Sequence, residues 1–271
     1  KGVNAAELAL IEKNLDRGES HAGVPWAKLA TSRSMWLLWG QYFCLSYGWH
    51  FFVTWLPDYL NTNGRPILSN AFLSWLATQM EGIVRADLIQ PVLKAVLAGV
   101  PLFFGGFGSL VAGVIASRLI ARGSRVVTVR RSFGFIGFAG ASGLLMLSFY
   151  IKDPLLAMLS MGMASCCYDR TMPGSRATCM DIGGKYAGTV SGSMNMMGNF
   201  GGMAGPFVVG LVLAATTVTT ATGTTKNWEL IFAISSVIYF LGAFFWLFID
   251  PVTPLEPDRD ENETQVAWAK R

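Results

Sequence analysis

Residues 187–215 read AGTVSGSMNMMGNFGGMAGPFVVGLVLAA. The run holds no charged side chain, glycine recurs along it, and two amides, Asn195 and Asn199, stand four residues apart. Glycine at this density usually marks a loop. Here the charge-free interval extends from Lys185 to Lys226, ample for the ~20 apolar residues that cross a bilayer. The stretch therefore reads as a membrane helix. Gly188 and Gly192, and Gly198 and Gly202, are spaced as small-xxx-small pairs that let two helices approach backbone to backbone. Asn195 and Asn199 share one face, and an interhelical bond is assigned to Asn199.

Similar intervals lie on both sides. No Asp, Glu, Lys or Arg falls between Arg33 and Asp58, Lys94 and Arg118, Arg131 and Lys152, or Glu229 and Asp250. Hydrophobic residues make up 52% of the 271, and charged residues only 14%, against the usual quarter. The chain reads as an all-α integral membrane protein in the lipid bilayer. Six transmembrane helices are expected, at about 35–60, 95–120, 132–151, 154–178, 187–215 and 228–249. Before them lies a polar segment, 1–34, with helical periodicity at 6–15. An outer loop, 61–94, carries LSNAFLSWLATQMEGIV at 68–84, either an interfacial helix or a short further hydrophobic element. A Pro-rich acidic tail, 250–271, is expected to be disordered. Placing 1–34, 121–131, 179–186 and the tail on one side puts fifteen Lys and Arg there, with Arg118 and Arg176, against five opposite. The positive-inside rule makes that side, with both ends of the chain, cytoplasmic.

The four cysteines and two histidines show no metal spacing, and no cofactor is implied. No strand precedes the GGFG at 105–108, so it is not a phosphate loop, and RGSRVVTVRR at 122–131 is a membrane-topology signal rather than a nucleic-acid patch. Two charges, Asp169 and Arg170, fall inside the fourth span. On insertion scales such a charge costs at least ~2.5–3.5 kcal/mol, so the pair marks a functional site or a coupling or intramembrane charge pair. Pro173 and Gly174 follow, and are expected to kink the helix and permit close approach. Tyr47, His50 and Thr54 recur at helical spacing as one polar stripe.

VTWLPDYL (53–60) and CMDIGGKYAGTVSGSMNMMGNFGG (179–202) together resemble the anion:cation symporter family of the major facilitator superfamily. Its members carry sugar acids such as hexuronate and galactonate, phthalate-type acids, glutamate and sialic acid. The resemblance implies one half of such a transporter: six helices equivalent to the seventh to twelfth, residues 1–34 as the central cytoplasmic loop, and an N-terminal six-helix half missing from this chain. It implies secondary active transport of a small organic anion with a proton or sodium, in the cell (inner) membrane. Tyr47, His50, Ser175, Arg176 and Asn195 would then meet the substrate. Gly201, Gly205 and Pro206, matching a glycine–proline stretch in the first half of such transporters, would set packing and gating with Gly192, Gly202, Pro173, Gly174 and Asn199. Two positions depart from the pattern: Ser117 where an aspartate is usual, and Arg176 where tryptophan is. A six-helix intramembrane enzyme using Asp169 and His50, or an inactive structural fragment, are the alternatives.

Overall fold

The computed structural model describes residues 4, 24–62, 66–220 and 223–256. The chain is a succession of helices: α1 Trp26–Thr31, α2 Arg33–Thr54, α3 Leu56–Thr62, α4 Ala71–Met80, α5 Ala86–Ala121, α6 Val126–Tyr150, α7 Pro154–Asp169, α8 Thr171–Gly183, α9 Ala187–Thr216 and α10 Trp228–Phe248. One small hairpin, β1 Val218–Thr220 with β2 Gly223–Thr225, interrupts the helical pattern. The expected helix at 6–15 lies outside the described residues.

Local sequence sets the helix starts. Ser32, Asn70, Asp153 and Asn227 each accept an amide hydrogen three residues on, which satisfies one of the free donors of a helix N-terminus. Pro154 follows its cap at the first helical position, where its missing N–H costs nothing. Between α8 and α9 the chain reverses through Gly184 at φ 49°, a left-handed conformation that suits glycine.

Four stretches are long and apolar enough to cross a membrane: α5, α6, the continuous run Pro154–Thr216 that takes in α7 to α9, and α10. Their outward faces carry large apolar side chains, among them Phe103, Leu110, Met203, Phe207 and Val237, all at least 65% exposed. A soluble surface does not tolerate so much contiguous apolar area. The chain is a membrane protein. At 22 residues α2 matches the span lengths but is less apolar, and its polar Gln41, Tyr42 and Tyr47 are turned into the protein interior.

The helix pairs repeat. α9 lies along α2, and α5 along α7; α6 lies along α10; α6 also borders α7, as α10 borders α2. Exchanging α2, α5 and α6 with α7–α8, α9 and α10 maps this set of contacts onto itself, with α6–α10 as the pair that stays in place. The α2–α9 seam is made by glycines: a β-carbon at Gly201 would strike the Phe43 carbonyl, and one at Gly202 the His50 ring. Gly108 does the same for α5, against the backbone of Cys166 on α7.

Three sequence expectations are corrected. The loop 61–94 is shorter, because helix α5 begins at Ala86 and runs through Pro91 and Pro101. The fourth span is two helices, and the break falls at Arg170 rather than at Pro173. Proline's ring and missing N–H act on the carbonyl four residues earlier, that of Asp169, so the helix gives way one turn upstream. The start of the tail is not loose. Leu255 N donates to the Ile182 carbonyl (2.9 Å), Arg130 to the Pro251 carbonyl (2.6 Å), and Glu256 pairs with Lys28 (2.6 Å) and Lys185 (2.9 Å). The residues around 256 are acidic where the facing helix ends are basic, so the strap is electrostatically matched. Hydrogen bonds from Lys28 and then Lys185 hold the Glu256 carboxyl down to about 2.

Candidate functional site

The break after α7 positions Asp169. Its carboxylate faces Ser165, whose hydroxyl donates to Oδ2 at 3.5 Å, and lies under Gly105 of α5. Asp169 lines a small cavity of about 210 Å³ with Leu45, Ser46, Trp49, Tyr168 and Met172. Among the described residues no salt bridge joins Asp169 to Arg170 or Arg176, so the charge pair expected from the sequence is not formed. Successive residues project about 100° apart on a helix, so neighbours in sequence do not face each other. Arg170 is half-buried with its Nε out of water and without a hydrogen-bond partner among the described residues.

The other expected residues divide by environment. Ser175 is fully buried and donates to the Thr171 carbonyl (2.9 Å) and Gln41 Oε1 (3.2 Å), tying α8 to α2. Arg176, one residue on, is exposed. Tyr47 is 1% exposed, packed beside Gly205. His50 is half-buried; its Nδ1 lies 2.9 Å from the Ser46 carbonyl and its ring meets Trp49 edge-on at 5.0 Å. Thr54 is exposed, so the Tyr47–His50–Thr54 stripe runs from interior to surface. A β-carbon at Gly174 would lie 3.7 Å from the Trp246 ring, an ordinary contact, and Pro206 lies within α9, which continues unbroken through it.

On α9, Asn195 and Asn199 are both exposed, next to exposed Gly188 and Gly192. A β-carbon at either glycine would meet open space, so this pair makes no helix contact, whereas Gly198 and Gly202 do, against Tyr42 and His50. Neither asparagine makes a side-chain hydrogen bond among the described residues. The packing face of α9 and its asparagine face are thus adjacent but distinct.

Two features escaped the sequence reading. Tyr168 stacks on Tyr239 at 5.3 Å and on Phe52 at 6.2 Å, an aromatic column at the centre of the bundle that joins α2, α7 and α10. A groove of about 930 Å³ opens between the α2–α3 junction and the start of α5, lined by Phe52, Val53, Asn61, Gln90, Lys94 and Leu102 among others. No periodicity signals either one, since each is assembled from helices far apart in the chain. Among the described residues no group of three His, Cys, Asp or Glu is placed to hold a metal ion.

No family model matches the chain. Curated relatives do. The chain is 29% identical over 270 residues to a probable sulfoacetate transporter of Cupriavidus necator, an alignment of 98% of the chain and 54% of that protein. It is 27% identical over 249 residues to the probable anion transporter 1, chloroplastic, of Oryza sativa, covering 90% of the chain and 40% of the relative. To the sodium-dependent phosphate transport protein 1, chloroplastic, of Arabidopsis thaliana it is 24% identical over 240 residues, covering 89% and 40%. These relatives are anion transporters. The chain spans about half the length, or less, of each.

Proposed function

We propose that this chain forms one six-helix half of a secondary active anion transporter of the anion:cation symporter type in the major facilitator superfamily. It acts with a second six-helix half and moves a small organic anion together with a proton or sodium ion. The observation that carries this reading is the alignment of nearly the whole chain with about half of an anion transporter. The repeated helix pairing supports it. Three helices followed by three more, related by exchange and of opposite direction if each crosses once, match the inverted repeats nested within each half of such transporters. On this reading α2, α5, α6, α7–α8, α9 and α10 are the six crossings, and α1, the α8–α9 turn and the tail lie on the cytoplasmic side.

The exposed polar face of α9 supports the same arrangement. Two uncovered amides beside two uncovered glycines on a membrane helix suit contact with a substrate and a second half better than contact with lipid. Asn195 and the exposed Arg176 are assigned to the substrate, and His50 to the edge of its path. Buried Tyr47 and Ser175 hold that path in shape, reaching substrate only if the helices around them move. Asp169 and Arg170 are assigned as intramembrane charges coupled to transport.

The test is uptake into vesicles. The chain is joined to the N-terminal half of the sulfoacetate transporter, and sulfoacetate and a panel of sugar acids are offered under imposed proton or sodium gradients. Gradient-driven uptake of at least one anion, reduced about tenfold or more in affinity by Asn195→Ala, is the expected result. Uptake by the 271 residues alone at the same rate, or none by the joined protein with any anion under either gradient, would overturn the proposal.

A further inference from the structure

The two cavities differ in electrostatic character. The small one presents the Asp169 carboxyl group and no basic side chain. The larger groove presents Lys94, whose ammonium donates to the neutral Asn61 Oδ1 at 2.7 Å. The acidic residue of that groove, Asp87, is already held by Arg85 through two hydrogen bonds of 3.0 and 3.2 Å. Asp58, one residue from the groove wall at Pro57, is held by Lys226 at 2.7 Å. Among the described residues Lys94 therefore has no carboxylate within ion-pair distance, and the groove keeps one uncompensated positive charge. Asn61 positions the amine without neutralising it. Below this polar rim the walls are apolar, from Val53 to Leu102, and both of these are open to the groove at about 40% exposure. Its volume, about 930 Å³, matches the clefts that hold small molecules. A lone ammonium over low-dielectric walls concentrates field at the mouth and raises the local concentration of anions.

We infer that the groove between the α2–α3 junction and α5 is an entry site for a small organic anion, with Lys94 as the group that captures it. This rests on the transporter reading and adds to it the place where the anion first binds, at the end of the bundle opposite the tail. The anion's charged group sits against the ammonium, Gln90 and Asn61 offer amide hydrogens, and the remainder lies on the Val53–Leu102 wall.

The first experiment needs no transport. Val53→Cys is introduced into the chain in its membrane, and modification at position 53 is followed by peptide mass, so the native cysteines stay. Anionic and cationic thiosulfonate reagents of equal size are compared. The anionic reagent is expected to react faster, and Lys94→Gln to lower the ratio of the two rates roughly tenfold at low salt, with Lys94→Arg restoring it. An unchanged ratio in Lys94→Gln, or no reaction at position 53 in a protein that keeps its thermal midpoint, would overturn the inference. The second experiment uses the joined transporter with sulfoacetate. Lys94→Gln should raise KM about tenfold with kcat nearly kept, and Lys94→Arg should recover KM; a fall in kcat alone would refute capture. A rate ratio that depends on Lys94 in a protein with no uptake of any anion would leave the groove standing and bring down the transporter reading alone.

Discussion

At the scale of single residues, the glycines of α9 divide by what faces them. Gly201 lies where any β-carbon would run into the Phe43 carbonyl, which belongs to a helix backbone and has little room to yield. Gly201→Ala is expected to destabilise by about 1–3 kcal/mol, the range for overpacking a well-filled site. Gly192 faces open space, and Gly192→Ala should be neutral or stabilising by up to about 1 kcal/mol through helix propensity. Thermal unfolding midpoints of the two variants, measured side by side in one detergent, check the contrast; equal shifts would show that the seam is not held by glycine. Ser175 is a second case. Its hydroxyl is buried between α8 and α2, and Ser175→Ala strands the Gln41 amide oxygen. A loss of about 1–3 kcal/mol follows from leaving that acceptor unpaired in the interior, and the same midpoint measurement reads it.

At the scale of elements, the strap from Asp250 to Glu256 ties together parts that are remote in sequence. Glu256 joins Lys28 before α2 to Lys185 and Tyr186 in the α8–α9 turn. Its carboxyl lies near 2 against an ordinary value near 4.5, so the charged form is the bound form. The strap's contribution is therefore complete above about 4.5 and is lost as pH falls through 2. A spin label at Val252 is expected to stay immobile down to about 4.5 and loosen below it. Glu256→Gln should loosen it at neutral pH as well; a label equally immobile in that variant would assign the hold to Arg130 and Leu255. None of this was legible in the tail's composition. A proline-rich acidic segment has the signature of a disordered one, and only the basic helix ends folded beside it turn it into a contact. The same limit explains the α7–α8 break. Pro173 announced a kink, but the structure places it a turn upstream, at Arg170.

At the scale of the whole molecule, the charge-free intervals and glycine runs foretold the helical membrane architecture, because lipid leaves few other solutions for a backbone. Span limits were less legible: α5 continues past Lys94 to Ala86, so charge marks where a helix leaves hydrocarbon and not where it ends. Cavities were not legible at all, being made by side chains that meet only after folding. The orientation inferred from Lys and Arg predicts that a green fluorescent protein fused after Arg271 fluoresces in cells. Alkaline phosphatase inserted after Lys152 should be active outside; the reverse pattern would invert the topology.

The seam between α2 and α9 has a consequence for how the protein is made. Helix α2 ends at Thr54 and α9 begins at Ala187, so about 130 residues must be synthesised before α2 meets the helix it packs against most closely. At ~5–20 residues per second that is on the order of 10 s. Until then Gln41 and His50 lack the cover that α9 and its neighbours give them, on a helix less apolar than the others of its length. Its own biogenesis thus depends on something to shelter it, whether the translocation channel or a membrane chaperone, until α9 arrives.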